Sequence, residues 1–156
     1  MLLFWVTFAC TMALFAATVT HAGDPKDIII LQNWSGDYPI DHLNRLPEGQ
    51  QKLRIGYIGD AEILSPVWQA FKPDEKTPEV DFRRNFIVFS RNVDFYNRLS
   101  IFKITLKDGV IEVLSIETRS ALPIEEKAAM AMAVIPRSGV MYIQAGNQRI
   151  PVSPDN

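Results

Sequence analysis

Two long apolar-rich runs in this chain, Leu99–Lys107 and Val110–Thr118, are separated only by Asp108-Gly109. Asp-Gly tolerates the positive φ angles of a two-residue hairpin turn, so the runs are predicted to be antiparallel strands joined there. A loop of that length fixes the register. Lys107 then faces Val110, Leu106 faces Ile111, Ile104 faces Val113 and Phe102 faces Ser115, and one face of the ribbon is almost wholly apolar. The other face pairs Thr105 with Glu112, Lys103 with Leu114 and Ile101 with Ile116, polar near the turn and apolar beyond it. Just upstream, Phe86-Ile87-Val88-Phe89 is apolar on both faces, which suits a strand in the middle of a sheet. The expectation is a meander over Asn85–Thr118 on which the rest of a sheet is built.

The remaining elements are read against that sheet. Asp27–Trp34 is a short strand candidate that loses its pattern at Ser35-Gly36-Asp37-Tyr38-Pro39, a cluster of turn residues. Asp41-His42-Leu43-Asn44 fits one helical turn, kept short by Pro47 and Gly49, and Lys52–Ile58 alternates as a half-buried strand. Asp60 is placed to cap a helix over Ala61–Phe71; the alternative is a shorter helix capped by Ser65, with Pro66 at its first position. In either, Ile63, Leu64, Val67, Trp68 and Phe71 share one side, which makes Trp68 and Phe71 core residues. Pro73–Pro78 is a polar connector. Propensity favours helix in Ile124–Val134, whereas the alternation of Met130, Met132 and Val134 favours strand. We expect a turn of helix at Glu125–Ala128 and then a strand around Met130–Ile135, followed by strands at Val140–Gln144 and Arg149–Val152 about a Gly146-Asn147 turn. The fold class predicted is mainly β, an antiparallel, sandwich-like domain with one packed α-helix (α+β).

The first 22 residues carry no charged side chain and end Thr20-His21-Ala22, with small residues at −3 and −1, as in a secretory signal cleaved before Gly23. A retained membrane anchor is the alternative, since about 20 apolar residues span a bilayer. Without residues 1–22 there are 134 left, residues 23–156, enough for one compact exported domain, periplasmic or secreted. The sole cysteine, Cys10, goes with the leader, so disulfides, thiol chemistry and cysteine metal ligands are excluded from the rest. A net charge of −2 and a pI near 5.7 disfavour nucleic acid as a partner.

Catalytic groups are scarce. His42 is the one histidine outside the leader, which excludes multi-histidine metal sites and weakens a hydrolase triad. Ser120 and Ser138 lack a nucleophile-elbow context, no glycine-rich phosphate loop is present, and Glu79/Asp81 and Glu125/Glu126 do not converge. Asp81 is expected to bond neighbouring backbone amides. No catalytic residue, metal or cofactor is therefore assigned. The suggestive stretch is basic and aromatic: from Asp81 to Lys107 there are six cations against two anions, interleaved with Phe82, Phe86, Phe89, Phe95, Tyr96 and Phe102. Core aromatics flanked by solvated arginines explain most of it. If a site exists it is the connection Asn92–Arg98, with Arg91, Phe95, Tyr96, Asn97 and Arg98 as candidate binding residues, able to stack on and fork toward an anionic or aromatic group.

The order of pieces is similar to one known family. Val67-Trp68-Gln69-Ala70-Phe71 on a helix, a Pro-bracketed loop, Val80-Asp81-Phe82 leading into an apolar strand, and Leu99-Ser100-Ile101 opening a long one together resemble the C-terminal domain of the PrcB-like family of exported bacterial proteins. The place of that family's Thr-Gly-Gly-Tyr signature holds Asn97-Arg98-Leu99-Ser100. The resemblance spans Ile55 to about Val140 and implies a β-rich fold and a non-enzymatic role. Its expected partner is another exported or envelope protein, with a membrane involved only if residues 1–22 are retained.

Overall fold

The turn at Asp108-Gly109 forms as expected, with φ of +49° and +78°, and the hairpin it closes belongs to one of two stacked sheets. The computed structural model describes residues 23–93, 98–118 and 126–153. In chain order it contains β1 (Lys26–Asp27), β2 (Gln32–Pro39), a 3₁₀ segment (Ile40–Arg45), β3 (Ile55–Ile58) and α1 (Ala61–Phe71). There follow β4 (Asn85–Asn92), β5 (Leu99–Lys107), β6 (Val110–Glu117), β7 (Lys127–Pro136), β8 (Tyr142–Ala145) and β9 (Gln148–Pro151). One sheet runs β1-β5-β6-β8-β9 and the other β2-β7-β4-β3, antiparallel throughout except where β6 meets β8. The domain is thus a β-sandwich-like α+β fold. The segment Met1–Ala22, expected to be a leader, lies outside the described residues; among those that are described, no helix is long and apolar enough to cross a membrane.

Both central strands of the four-stranded sheet are buried on two faces. Along β4, Phe86 and Val88 face the five-stranded sheet while Ile87 and Phe89 face the helix. Along β7, Ala129, Ala131, Ala133 and Ile135 face the other sheet, and Met130, Met132 and Val134 face α1. The row of alanines lets the larger Leu99, Ile101, Ile104 and Ile111 of the facing sheet fill the space between layers. Helix α1 covers the opposite face with Leu64, Val67, Trp68 and Phe71. Its start is set by Asp60, whose carboxylate accepts from the Ile63 N–H at 2.8 Å, so the longer of the two predicted helices is the one that forms. Asp81 accepts from the Arg83 N–H at 3.1 Å and, through its carbonyl, from Arg84 and Asn85, turning the chain into β4 as expected.

Four expectations are corrected. The meander breaks: β4 pairs with β3 and β7, not with β5, because a strand apolar on both faces needs a covering layer on each side. Strand β2 runs straight through Ser35–Pro39, since Tyr38 there is completely buried and Gly36 leaves room for the Phe71 ring, which an added Cβ would approach at 3.3 Å. The helical turn expected at Glu125–Ala128 is replaced, in its described residues, by the start of β7: Lys127 and Ala128 already pair with Pro39 and Tyr38. Burial on both faces overrides the helix propensity of this Ala/Met run. Finally, the predicted hairpin register holds from Lys107 to Lys103 and then slips. A β-bulge at Phe102 leaves Ile101 opposite Ser115 and Ser100 opposite Ile116, which turns Ile101 inward and pushes the Phe102 ring outward.

Candidate functional site

Of the residues singled out for binding, Phe95, Tyr96 and Asn97 lie outside the described residues. The flanks of their connection are defined. Arg98 is exposed, and its carbonyl accepts from the Thr118 N–H at 3.1 Å, which joins the start of β5 to the end of β6. On the other flank the Asn92 amide donates to Glu117 at 2.7 Å, and Glu117 also pairs with Arg54 just ahead of β3. The ends of both sheets are therefore tied at the mouth of this connection by one carboxylate. Around it lies a cavity of about 260 Å³ lined by Lys52, Arg54, Arg91, Asn92 and Val93.

Arg91 has a different setting from the exposed one the loop reading implies. It is 4% exposed, its Nε donates to the Leu53 carbonyl at 2.7 Å and an Nη to the Gln51 carbonyl. Its guanidinium thereby holds the segment entering β3, and burial pushes its pKa below the ordinary value. The sequence did carry the signal: Ile87, Phe89 and Arg91 alternate along β4, so Arg91 continues the face that carries the helix-side core.

The nearby phenol of Tyr38 is completely buried and donates to the His42 carbonyl at 3.0 Å. Burial pushes its pKa from 10.0 up to about 12, with Arg45 and Arg91 pulling in the opposite direction. A phenol held neutral in the folded state stabilises fully below its unfolded value near 10, and that contribution is lost as pH climbs toward 12. Denaturant unfolding at pH 9 and pH 12 is expected to show a loss of about 2–3 kcal/mol attributable to Tyr38. The Tyr38→Phe variant is the control: it should lose that much less stability over the same interval, and an identical loss would show that Tyr38 has no part in it.

The outer face of the five-stranded sheet completes the region. Phe102, Leu114 and Ile116 are 64%, 54% and 50% exposed, and by register they lie on adjacent strands facing away from the core. Lys103, on the same face, reaches Asp27 of β1 at 2.8 Å. Sequence reasoning placed Phe102 in the apolar face because nothing in its local pattern announces a bulge. At the opposite end of the molecule Arg137 donates to the carbonyls of Ser153, Gly59 and Phe82 and stacks over Phe86; a cavity of about 100 Å³ beside it is lined by Gln50, Tyr57 and Asp60 among others. These bonds join the loops before α1 and β4 to the C-terminal segment, a structural task. Among the described residues no cluster of His, Cys, Asp and Glu is arranged to hold a metal ion. Compared with protein-family models, with curated proteins and with solved structures, the chain finds no match.

Proposed function

We propose that this is an exported, non-enzymatic accessory domain that binds another envelope or secreted protein. Its contact region is the Asn92–Ser100 connection together with the adjoining outer face of β5 and β6. The observation that carries this reading is the bulge at Phe102, which holds a large aromatic ring 64% exposed beside Leu114 and Ile116. A grouped apolar surface next to an exposed arginine is the composition of a protein contact rather than of an ordinary solvated face. The resemblance to PrcB-like domains supports the same role.

The test is crosslinking in cells that make the full chain, followed by quantitative mass spectrometry of what the protein retains. We expect one stoichiometric exported partner. Its recovery should fall at least about ten-fold when Phe95, Tyr96, Arg98 and Phe102 are changed to alanine, the size of loss that truncating central contact residues produces, while the melting temperature of the variant stays near that of the parent. Undiminished capture by a folded variant would remove the site from this surface, and absence of any partner would remove the reading.

The second reading, an anionic-ligand or glycan site, rests on the cavity lined by Lys52, Arg54 and Arg91. It is the weaker one because Arg54 is paired with Glu117 and Arg91 is committed to backbone carbonyls, so that among the described lining residues Lys52 is the cation without a recorded partner. Binding of a sulfated oligosaccharide that weakens steeply as salt rises from about 0.05 to 0.5 M would favour it.

A further inference from the structure

Among the described residues, strand β6 is paired on its outer edge for only part of its length. Its pairing with β8 stops at Ile111. From Glu112 to Glu117, no strand among the described residues runs along that edge. At the edge strand β3, by contrast, the Tyr57 N–H is taken by the Gln50 side chain at 2.7 Å. No proline, lysine or bulge interrupts β6. Such an edge is a template for another strand.

We propose that the strand which completes this edge is β6 of a second copy, paired antiparallel about a two-fold axis at Ser115. Three properties of the sequence fit that arrangement. Lys107 and Val110 close the hairpin as a hydrogen-bonded pair, so by alternation the backbone groups of Val113, Ser115 and Glu117 point away from β5 toward the open edge. A two-fold axis at Ser115 sets Val113 opposite Glu117 of the second copy and Ser115 opposite itself, so that every one of these groups finds a partner. On the outer face the same axis brings Leu114 against Ile116 of the second copy, twice over, an apolar pair in place of two side chains that are each at least half exposed.

The charges match as well. Glu112, exposed and without an ion pair among the described residues, comes opposite Thr118 of the second copy, one strand from the exposed Arg98, on the same outer face. Moving the axis by one residue to Leu114 sets Glu112 against Ile116, and moving it to Ile116 sets Leu114 against Thr118, so the Ser115 register alone satisfies charge and apolar surface together. The contact is isologous and closes at two copies, as a two-fold interface does. A seven-residue ladder with a handful of side chains falls at the small end of protein interfaces, so the dimer is a micromolar one.

The experiment is sedimentation equilibrium on the protein purified from cells expressing the full chain, from about 1 to 500 μM, a range that spans micromolar dissociation constants. A monomer–dimer equilibrium is expected, with the dissociation constant raised at least ten-fold by Leu114→Lys. Because Leu114 is exposed, that variant should keep the parent's circular dichroism and melting temperature. Glu112→Arg and Arg98→Glu should each weaken the dimer and together restore it, and Phe102→Lys, off the edge, should leave it intact. A protein that stays monomeric throughout, or whose dimer ignores Leu114→Lys, overturns the proposal. A dimer that the charge exchange does not restore overturns its register.

Discussion

Trp68→Ala is expected to be the most damaging single substitution in the domain, lowering the free energy of unfolding by about 3–5 kcal/mol. The indole is 2% exposed and lies at the centre of the layer between α1 and the four-stranded sheet. Its ring meets Trp34 edge-on at 5.0 Å and Phe71 at 5.8 Å, contacts that add to the loss from burial alone. Its Nε1 donates to the Glu75 carbonyl at 3.1 Å, so alanine also frees the loop that follows the helix. The neighbours cannot close the space: Trp34 belongs to a strand fixed by eight paired residues, and α1 is capped at its start. Guanidinium unfolding measures the effect. A loss below about 1 kcal/mol would mean that the helix is not seated on the sheet as described.

Arg91→Leu is expected to come second, at about 2–4 kcal/mol, although a leucine is the better core residue by hydropathy. Removing the guanidinium leaves the part-buried Leu53 and Gln51 carbonyls without their donor, and a polar group left unpaired away from water costs about 1–3 kcal/mol. Arg91→Lys should not recover the loss. A single ammonium has no planar fork with which to hold two carbonyls at once, and it is dehydrated at greater cost. The loss should appear as faster exchange of amide hydrogens at β3, whose entry these bonds hold. Full stability in both variants would show that Arg91 is not the clamp. The practical consequence concerns binding experiments: an Arg91 variant that loses a partner does so by loosening β3, and Arg98 is the arginine to test for contact.

The parts of the fold legible in the sequence were those decided locally. Asp108-Gly109 set the turn, period-two alternation set the first five cross-strand pairs, and Asp60 with the spacing of Leu64, Val67, Trp68 and Phe71 set the helix. What stayed hidden was decided by neighbours distant in the chain. Ser35–Pro39 has the composition of a turn, yet it extends because β7, some ninety residues later, supplies the facing ladder. The strand at Met130–Ile135 was legible in its alternation, but its start at Lys127, where the composition favours helix, was not, because β2 supplies the facing ladder there. The bulge at Phe102 reconciles a hairpin register fixed at Asp108-Gly109 with the requirement that Leu99 and Ile101 both face inward. For the candidate site, the sequence singled out the connection between β4 and β5, whose Phe95, Tyr96 and Asn97 lie outside the described residues, and it placed Arg91 on the surface because a charged residue in an apolar strand gives no sign of which carbonyls await it.

The position of β7 bears on when the domain can come into being. It lies between β2 and β4, yet it is made of residues 127–136 of a chain of 156. Until those residues have left the ribosome, β2 has no neighbour and β4 has one only on the side of β3. Pairings this far apart in the chain close slowly, because the entropy of the intervening loop is lost before any contact compensates. A nascent chain of this sequence therefore has no stopping point at which half the sandwich is stable. It stays open until the strand that joins the two halves of this sheet has been made.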